Sequence, residues 1–483
     1  MSKTQASERR YADDLIKNIS LVGRNYYIDP IYKEVGSKEV EHWNTALSVI
    51  SYVLDANQLS IGEPGFAKTT GAKVICCIMS GYPYDIYEAA QIQGHPDQTF
   101  ETMIARLDFS KLARDESVIW LVSAYLPVRI IDEVNRLPSG RQNEWLDILE
   151  TGRINYVNDT LFTGITPCYA TANHPDDGNH ILIAPLRDRF LAHIESGFIG
   201  ATYRQNIRQA IQKIDDLKDE KLTTEVIDIV NDKNLNVKER LRKIDIAQKS
   251  YLSKQYKETG AILFDAETKK RARQEIEDVP LSDDADVFLM MIDDELNFTS
   301  KYGRKRSFPN DPLEDSNHAK AIASTKTKNA FSPRGSMKGL ENYAKALAYL
   351  IGDEKVEKHH LEAVAPHVLG HRLEFTDEFR AKHQADNRGG LFGDTLEMHL
   401  AKELVNGVEA NYERVKQDID MIIIAFKNEM DAYRPDEERV GLSADQKERV
   451  NKFLKEPDKI DHPLVREYAT RIARARKKRK IST

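Results

Sequence analysis

The most informative stretch of this 483-residue chain is Leu59-Ser60-Ile61-Gly62-Glu63-Pro64-Gly65-Phe66-Ala67-Lys68-Thr69. A short predicted strand runs directly into a loop of glycine and proline, and Thr69 to Met79 has the apolar spacing of a helix. Such a loop lets backbone N–H groups approach phosphate oxygens, and the helix adds the positive end of its dipole. We therefore expect Lys68 to reach the β- and γ-phosphates of a nucleotide and Thr69 to offer its hydroxyl to Mg²⁺.

The loop departs from the common phosphate-loop pattern G-x-x-x-x-G-K-[ST], because Ala67 occupies the position of the last glycine. A Gly/Pro turn followed by an ordinary first helical turn would have a similar composition. The loop alone therefore leaves two interpretations open, a nucleotide site and a structural turn.

Polar residues also end two further predicted strands. Val128 to Ile131 is followed by Asp132-Glu133, and Thr166 to Ala172 is followed by Asn173. Alternating strands and helices predict a parallel sheet, and such sheets bind ligands beyond the carboxyl ends of their strands. Asp132 would then hold a Mg²⁺ shell, and Glu133 would orient or deprotonate an attacking water. The alternative is a solvated Asp-Glu pair at a turn.

Arg129 is awkward within a fully buried strand, because a guanidinium is costly to remove from water. We expect it to mark a strand end or an exposed face.

The rest of the chain is predicted to be mainly helical. Arg153 to Phe162 alternates around Asn158-Asp159 and predicts a hairpin. Lys301 to Ala330 is a predicted loop, and Phe379 to Gly393 is a predicted linker. Helical spacing covers residues 38–53, 93–120, 140–151, 203–295, 339–350, 358–371, 394–430 and 443–480.

Composition restricts the class of protein. Charged residues make up 30% of the chain and the net charge is −7, so the chain as a whole is not a polycation that would attract nucleic acid. The three cysteines have no zinc-site spacing and fit a reducing compartment. The sequence contains no signal core and no apolar run of about 20 residues, so we expect a cytoplasmic protein without membrane insertion.

Five motifs occur in an order typical of one family. They are GEPGFAKT (62–69), IIDEVNRLP (130–138), ATANHP (170–175), PLRDRFL (185–191) and SPRGS (332–336). Together they resemble the MoxR family of AAA+ ATPases, in the clade that carries a helix-2 insert and a pre-sensor hairpin. The resemblance covers roughly Lys38 to Leu373, and alanine before the loop lysine is usual in this family.

The resemblance implies roles for single residues. The ATP-binding loop would be Gly62, Glu63, Pro64, Gly65, Phe66, Ala67, Lys68, Thr69 and Thr70. Thr69 and Asp132 would hold Mg²⁺, Glu133 would be the catalytic base, and Asn173 would be sensor 1. Arg189 matches the arginine finger that reaches a neighbouring subunit's ATP, with Arg187 as a competitor, and Arg334 matches the sensor-2 arginine.

The implied fold class is α/β, an AAA+ phosphate-loop core with a parallel sheet, followed by an all-α lid and a helical C-terminal extension. We place the core at residues 1–200, the lid with a long insert at 201–373, and the accessory region at 374–483. Residues 93–127 and 153–162 occupy the positions of the helix-2 insert and the pre-sensor hairpin.

The implied function is ATP hydrolysis by a ring, expected to be a hexamer, that remodels or matures partner proteins. The expected partner is a protein with a von Willebrand factor A domain, and the net charge disfavours nucleic acid as a partner. Two alternatives remain open, a nucleic-acid-dependent translocase of the same clade and a nucleotide-gated scaffold that does not hydrolyse ATP.

Two further features are interpreted as structural and not as functional sites. The histidines at 359, 360, 367 and 371 lack the H-E-x-x-H arrangement, so we do not predict a metal site there. The basic segment from Arg471 to Lys480 could make nonspecific phosphate contacts, but we favour a solvated helix end that suits the helix dipole.

Overall fold

The computed structural model describes residues 10–107, 118–157, 159–174, 180–232, 234–297, 326–384, 396–431, 443–460 and 463–482. Several sequence predictions lie partly outside these ranges. They include Asn158 of the hairpin, Pro175 of the ATANHP motif, residues 108–117 of the expected insert, residues 301–325 of the predicted loop and residues 385–393 of the predicted linker.

The central element is a five-stranded parallel sheet with the order β11-β3-β10-β7-β4. Three two-stranded antiparallel sheets, β1-β2, β5-β6 and β8-β9, lie outside it. The strands are β1 Tyr32–Val35, β2 Lys38–Glu41, β3 Asn57–Gly62, β4 Ile92–Gln93, β5 Ala105–Leu107, β6 Val118–Trp120, β7 Arg129–Asp132, β8 Arg153–Tyr156, β9 Asp159–Phe162, β10 Cys168–Ala172 and β11 Phe190–Ser196.

Helices make up most of the remaining described chain. The helices are α1 Ala12–Asn25, α2 Trp43–Val53, α3 Lys68–Ser80, α4 Tyr84–Ala89, α5 Phe100–Met103, α6 Val122–Tyr125, α7 Ser139–Thr151, α8 Ala184–Arg189, α9 Arg204–Lys213, α10 Glu220–Asn231, α11 Val237–Thr259, α12 Ala266–Glu277, α13 Asp283–Asn297, α14 Asn342–Ile351, α15 Lys358–Leu369, α16 Asp377–Gln384, α17 Leu396–Arg414, α18 Lys416–Asp431, α19 Ala444–Lys455 and α20 Pro463–Ser482. A π-helical turn, Gly335–Glu341, leads into α14.

The register of the sheet brings the predicted strand ends together. In β10, Ala172 pairs with Ile61 of β3, and Ala170 pairs with Ile131 of β7. All five strands are parallel, so their carboxyl ends meet at one edge. The predictions of a parallel sheet, of the hairpin β8-β9 and of helices on either side of these strands are confirmed.

Three sequence predictions of local structure are wrong in part. The expected helix over 38–53 begins only at Trp43, because Lys38–Glu41 pairs with β1 across a turn at Gly36, whose φ is +59°. The described part of 93–120 contains the end of β4, one short helix and the β5-β6 pair, and the Val-Ile-Trp of β6 favours a strand. The predicted linker begins with helix α16.

Arg129 begins β7, as expected of a strand end, but the expectation of an exposed face is wrong, because its side chain is 1% exposed. Its guanidinium donates to the hydroxyls of Thr163, at 2.7 Å, and Thr166. Burial lowers the pKa of Arg129 to about 10. Thr163 and Thr166 follow the hairpin β8-β9, so Arg129 ties the first residue of β7 to the base of that hairpin.

The chain divides into two compact units. The first contains Met1–Pro280, Ser332–Arg372 and Asp386–His399, and the second contains Leu281–Phe331, Leu373–Ala385 and Leu400–Thr483. The first unit therefore includes the parallel sheet and helices α14 and α15. The three-part division at residues 200 and 373 stays a prediction. Among the described residues, no helix has both the length and the apolar character needed to cross a membrane.

The burial of Arg129 generates a stability prediction. Arg129→Ala should lower the free energy of unfolding by about 2–4 kcal/mol, because it leaves a cavity beneath the hairpin. Arg129→Met should stay within about 1 kcal/mol of the wild type or exceed it, since methionine fills a similar volume without the cost of burying a charge. Urea denaturation of the three proteins measures the difference. Equal destabilisation by both substitutions would contradict this description of the site.

Candidate functional site

The predicted phosphate loop lies between β3 and α3 at the carboxyl edge of the sheet. Gly65 and Ala67 have φ angles of +86° and +56°, the left-handed conformation that turns the chain sharply. Ala67 is the N-cap of α3, so the unpaired N–H groups of the first helical turn are directed towards the loop. Helix N-termini with this geometry are suited to anions.

The Lys68 side chain is 9% exposed and lies over its own loop. Its ammonium donates to the carbonyl oxygens of Gly62 and Glu63, both at 2.8 Å, and to Oδ1 of Asn173 at 2.9 Å. Burial lowers the pKa of Lys68, while Asp132, Glu133 and Glu63 act in the opposite direction. A cation is thus held at the loop by acceptors that a phosphate could replace.

The residues predicted to hold Mg²⁺ are in direct contact. Oγ1 of Thr69 donates to Oδ1 of Asp132 at 2.5 Å, and Oγ1 of Thr171 donates to the same oxygen at 2.6 Å. Nε2 of Gln91 donates to Oδ2 of Asp132 at 2.9 Å. Carboxylate and hydroxyl oxygens are the hard ligands that Mg²⁺ takes, usually together with water and substrate phosphates, so this donor set fits the ion.

Glu133 directly follows β7 in a constrained conformation. Its φ is +52°, which is uncommon for a residue other than glycine. Its N–H donates to Oγ1 of Thr171 at 2.9 Å, and its carboxylate accepts from Nδ2 of Asn173 at 2.9 Å and from Arg136 at 3.1 Å. Asn173 therefore links Lys68 of the loop to Glu133.

A cavity of about 650 Å³ extends from the phosphate loop. Tyr26 and Tyr27 line one part of its wall, and Ile207 and Ile211 of α9 line another. The Tyr27 hydroxyl lies 3.4 Å from Oγ of Ser196 at the end of β11. Apolar walls with a few hydroxyl groups suit a planar base attached to the phosphates.

Sequence reasoning missed these residues, and it also missed Gln91 and Thr171. The wall residues come from segments far apart in the chain, and no short motif joins them. A signal was available in α9, where Ile207 and Ile211 share one face at i and i+4 although they are 38% and 62% exposed.

The predicted catalytic arginines lie elsewhere in the described structure. The cavity is not lined by any of these three residues, Arg187, Arg189 and Arg334. Arg189 and Arg334 both contact Glu150 at the end of α7, and Arg187 is on α8 with Arg189. The structure thus brings together the loop, Asp132, Glu133 and Asn173, and it groups two of the arginines at a separate place.

The histidines of the lid region are held by other groups. His367 accepts from Trp43 Nε1 at 2.8 Å and contacts the carbonyl of His193 at 2.9 Å, and burial lowers its pKa to about 3. His359 and His360 do converge on Asp353. However, Nδ1 of His360 accepts from the Glu357 N–H at 2.8 Å, so its Nε2 carries the proton that bonds Asp353 and offers no lone pair.

The left-handed conformation of Ala67 generates a prediction about the loop. A non-glycine residue there costs about 1–2 kcal/mol, so Ala67→Gly should keep nucleotide affinity at or above that of the wild type. Ala67→Val should weaken nucleotide binding strongly, because β-branched residues rarely adopt positive φ. Titration with a fluorescent ATP analogue measures both variants. Equal affinity of the valine and glycine variants would contradict the role given to this conformation.

Comparisons with known proteins agree with this architecture. The family description "AAA lid domain" matches residues 319–388, a range that includes α14, α15 and α16. The crystal structure of a putative ATPase from Cytophaga hutchinsonii is similar to this chain, with a TM-score of 0.53 and 16% sequence identity. The match covers 82% of this chain and 94% of that chain. No curated protein matches the sequence.

At 16% identity the structural likeness carries the fold, and the lid match adds a separate observation from the sequence. Together they support the AAA+ class of ATPases. The chain has the AAA+ fold, an α/β core with a parallel five-stranded sheet, a helical lid and a helical C-terminal region.

Proposed function

We propose that the chain is a MoxR-like AAA+ ATPase that binds ATP at the Lys68 loop and hydrolyses it. The observation that carries the proposal is the convergence of Lys68, Asp132, Glu133 and Asn173 at one edge of the sheet. Asn173 bonds both Lys68 and Glu133, and Asp132 bonds Thr69 of the loop. A structural turn would not require a buried lysine, an acid pair and an amide to meet there. This geometry supports the roles that the resemblance implies for these residues.

In the proposed reaction, the N–H groups of the loop and the Lys68 ammonium neutralise the phosphates. Thr69 and Asp132 would hold Mg²⁺, which would offset the charge of the phosphate oxygens when it is bound. Glu133 accepts a proton from the attacking water, and Asn173 fixes the direction of its carboxylate through the 2.9 Å hydrogen bond. Positioning and charge stabilisation supply most of the rate in such reactions.

Among the described residues, neither Arg189 nor Arg334 lines the cavity of its own chain, and Arg136 is paired with Glu133. We therefore propose that a second copy of the chain supplies Arg189 and Arg334, which makes assembly a condition for turnover. An arginine added in trans is worth about 10³ to 10⁵ in rate. The resemblance to MoxR proteins favours a cytoplasmic hexameric ring that remodels or matures a partner protein, with a von Willebrand factor A domain protein as the expected partner.

Substitutions at Glu133 and Lys68 test the assignment of hydrolysis. Glu133→Gln should bind ATP as the wild type does and lower kcat by about 10²- to 10⁴-fold, because the amide cannot accept the proton. Lys68→Ala should lose nucleotide binding. The matched control is Glu354→Gln, an exposed carboxylate outside the cavity, which should behave as the wild type. Unchanged turnover in Glu133→Gln would refute the catalytic role.

The same ATPase assay also tests the alternative that the protein is a nucleic-acid-dependent translocase. ATP turnover is measured with and without single- and double-stranded DNA, and no stimulation is expected. Strong stimulation that is lost when residues of the hairpin β8-β9 are replaced would overturn the proposal of a protein-remodelling ATPase.

A further inference from the structure

Glu150, the penultimate residue of α7, contacts two arginines that come from different parts of the chain. Its Oε2 accepts from Arg189 at 2.6 Å, and its Oε1 accepts from Arg334. Arg189 ends α8 of the core, whereas Arg334 is the N-cap of the π-helical turn that leads into α14. One carboxylate therefore joins a core arginine to an arginine of the lid.

Arg189 is anchored by its own surroundings as well. Its Nε donates to the carbonyl of Leu146 and its NH1 to the carbonyl of Pro185, both at 2.8 Å. With the bond to Glu150, three of its five N–H donors have acceptors within the described part of the chain. These three contacts fix the plane of the Arg189 guanidinium.

Arg334 depends more strongly on Glu150. Its other acidic neighbour, Asp188, lies 3.7 Å from its Nε, and Asp188 also faces the buried Arg372 at 3.4 Å. Two guanidiniums side by side would repel each other, and a carboxylate with one oxygen on each removes that cost. The arrangement leaves a pair of arginines, 16% and 22% exposed, in fixed positions outside the nucleotide cavity of their own chain.

We propose that Glu150 is a positioning residue that aligns Arg189 and Arg334 as one anion-binding pair for the terminal phosphate of a nucleotide bound to a second copy of the chain. The inference rests on the proposed function and extends it. It assigns both arginines to one site on the neighbouring copy, and it assigns to Glu150 the role of fixing their relative positions. Each arginine alone could contact a phosphate, but only the bridged pair presents both at the same place.

The test is Glu150→Gln in the full-length protein. Glutamine has a similar size, yet it offers one acceptor oxygen, and its amide group faces the second arginine as a donor. We expect kcat to fall about 10- to 100-fold, as for misplaced reacting groups, while KM and the dissociation constant of a fluorescent ATP analogue change less than about twofold. Asp147→Asn is the matched control, since Asp147 is an exposed carboxylate on the same helix that contacts Thr151 and Asn155.

A double-mutant cycle separates positioning from a general structural role. If Glu150 acts through Arg334, then Glu150→Gln should cost little further activity in an Arg334→Ala background. Melting temperatures verify that the variants fold. Should Glu150→Gln fail to fold, Glu150→Asp replaces it, because the shorter side chain keeps the charge but does not reach both arginines.

Wild-type kcat in a folded Glu150 variant, or effects of Glu150→Gln and Arg334→Ala that simply multiply, would overturn the inference and leave the proposed ATPase intact. A wild-type protein that binds ATP but does not hydrolyse it at any protein concentration would instead overturn the proposed function and the inference with it.

Discussion

The hydrogen-bonded chain from Lys68 through Asn173 to Glu133 is the interaction on which the rest of the site depends. Asn173 accepts from Lys68 and donates to Glu133, so one amide fixes both the cation and the carboxylate. This arrangement requires β10 to lie between β3 and β7, parallel to both and in the observed register. A shift of one residue would turn the polar end of β10 to the opposite face of the sheet.

Features that depend on neighbours in sequence were predictable. The loop, the acid pair and Asn173 each follow an apolar strand, and parallel strands bring their carboxyl ends to one edge. Gln91 and Thr171 were not predicted, because their contact with Asp132 depends on which strands are adjacent. The buried Arg129 was misjudged for a similar reason. Two threonine hydroxyls beyond a hairpin accept from the two terminal nitrogens of its guanidinium, and the strand alone gives no sign of them.

The helices between the core and the lid contribute directly to the candidate site, although their sequence is rich in charged residues. Helix α9 contributes Ile207 and Ile211 to the cavity wall, while α11 packs on α3 through Gln248, which donates to the Ser80 carbonyl at 2.6 Å. Bound nucleotide would therefore touch both the loop and α9. The arginines that would complete the proposed chemistry lie outside this cavity and share Glu150, so in the proposed assembly each protomer would contribute to two sites.

The central claim is that the loop of one protomer and the arginines of another form a single site. Mixing Lys68→Ala protein, whose arginines are intact, with Arg189→Ala protein, whose loop is intact, tests it most directly. Each variant alone should be inactive, and the mixture should recover ATP turnover well above the sum of the separate rates, because some interfaces then combine an intact loop with an intact arginine. No recovery in mixtures that native mass spectrometry identifies as mixed assemblies would contradict the account.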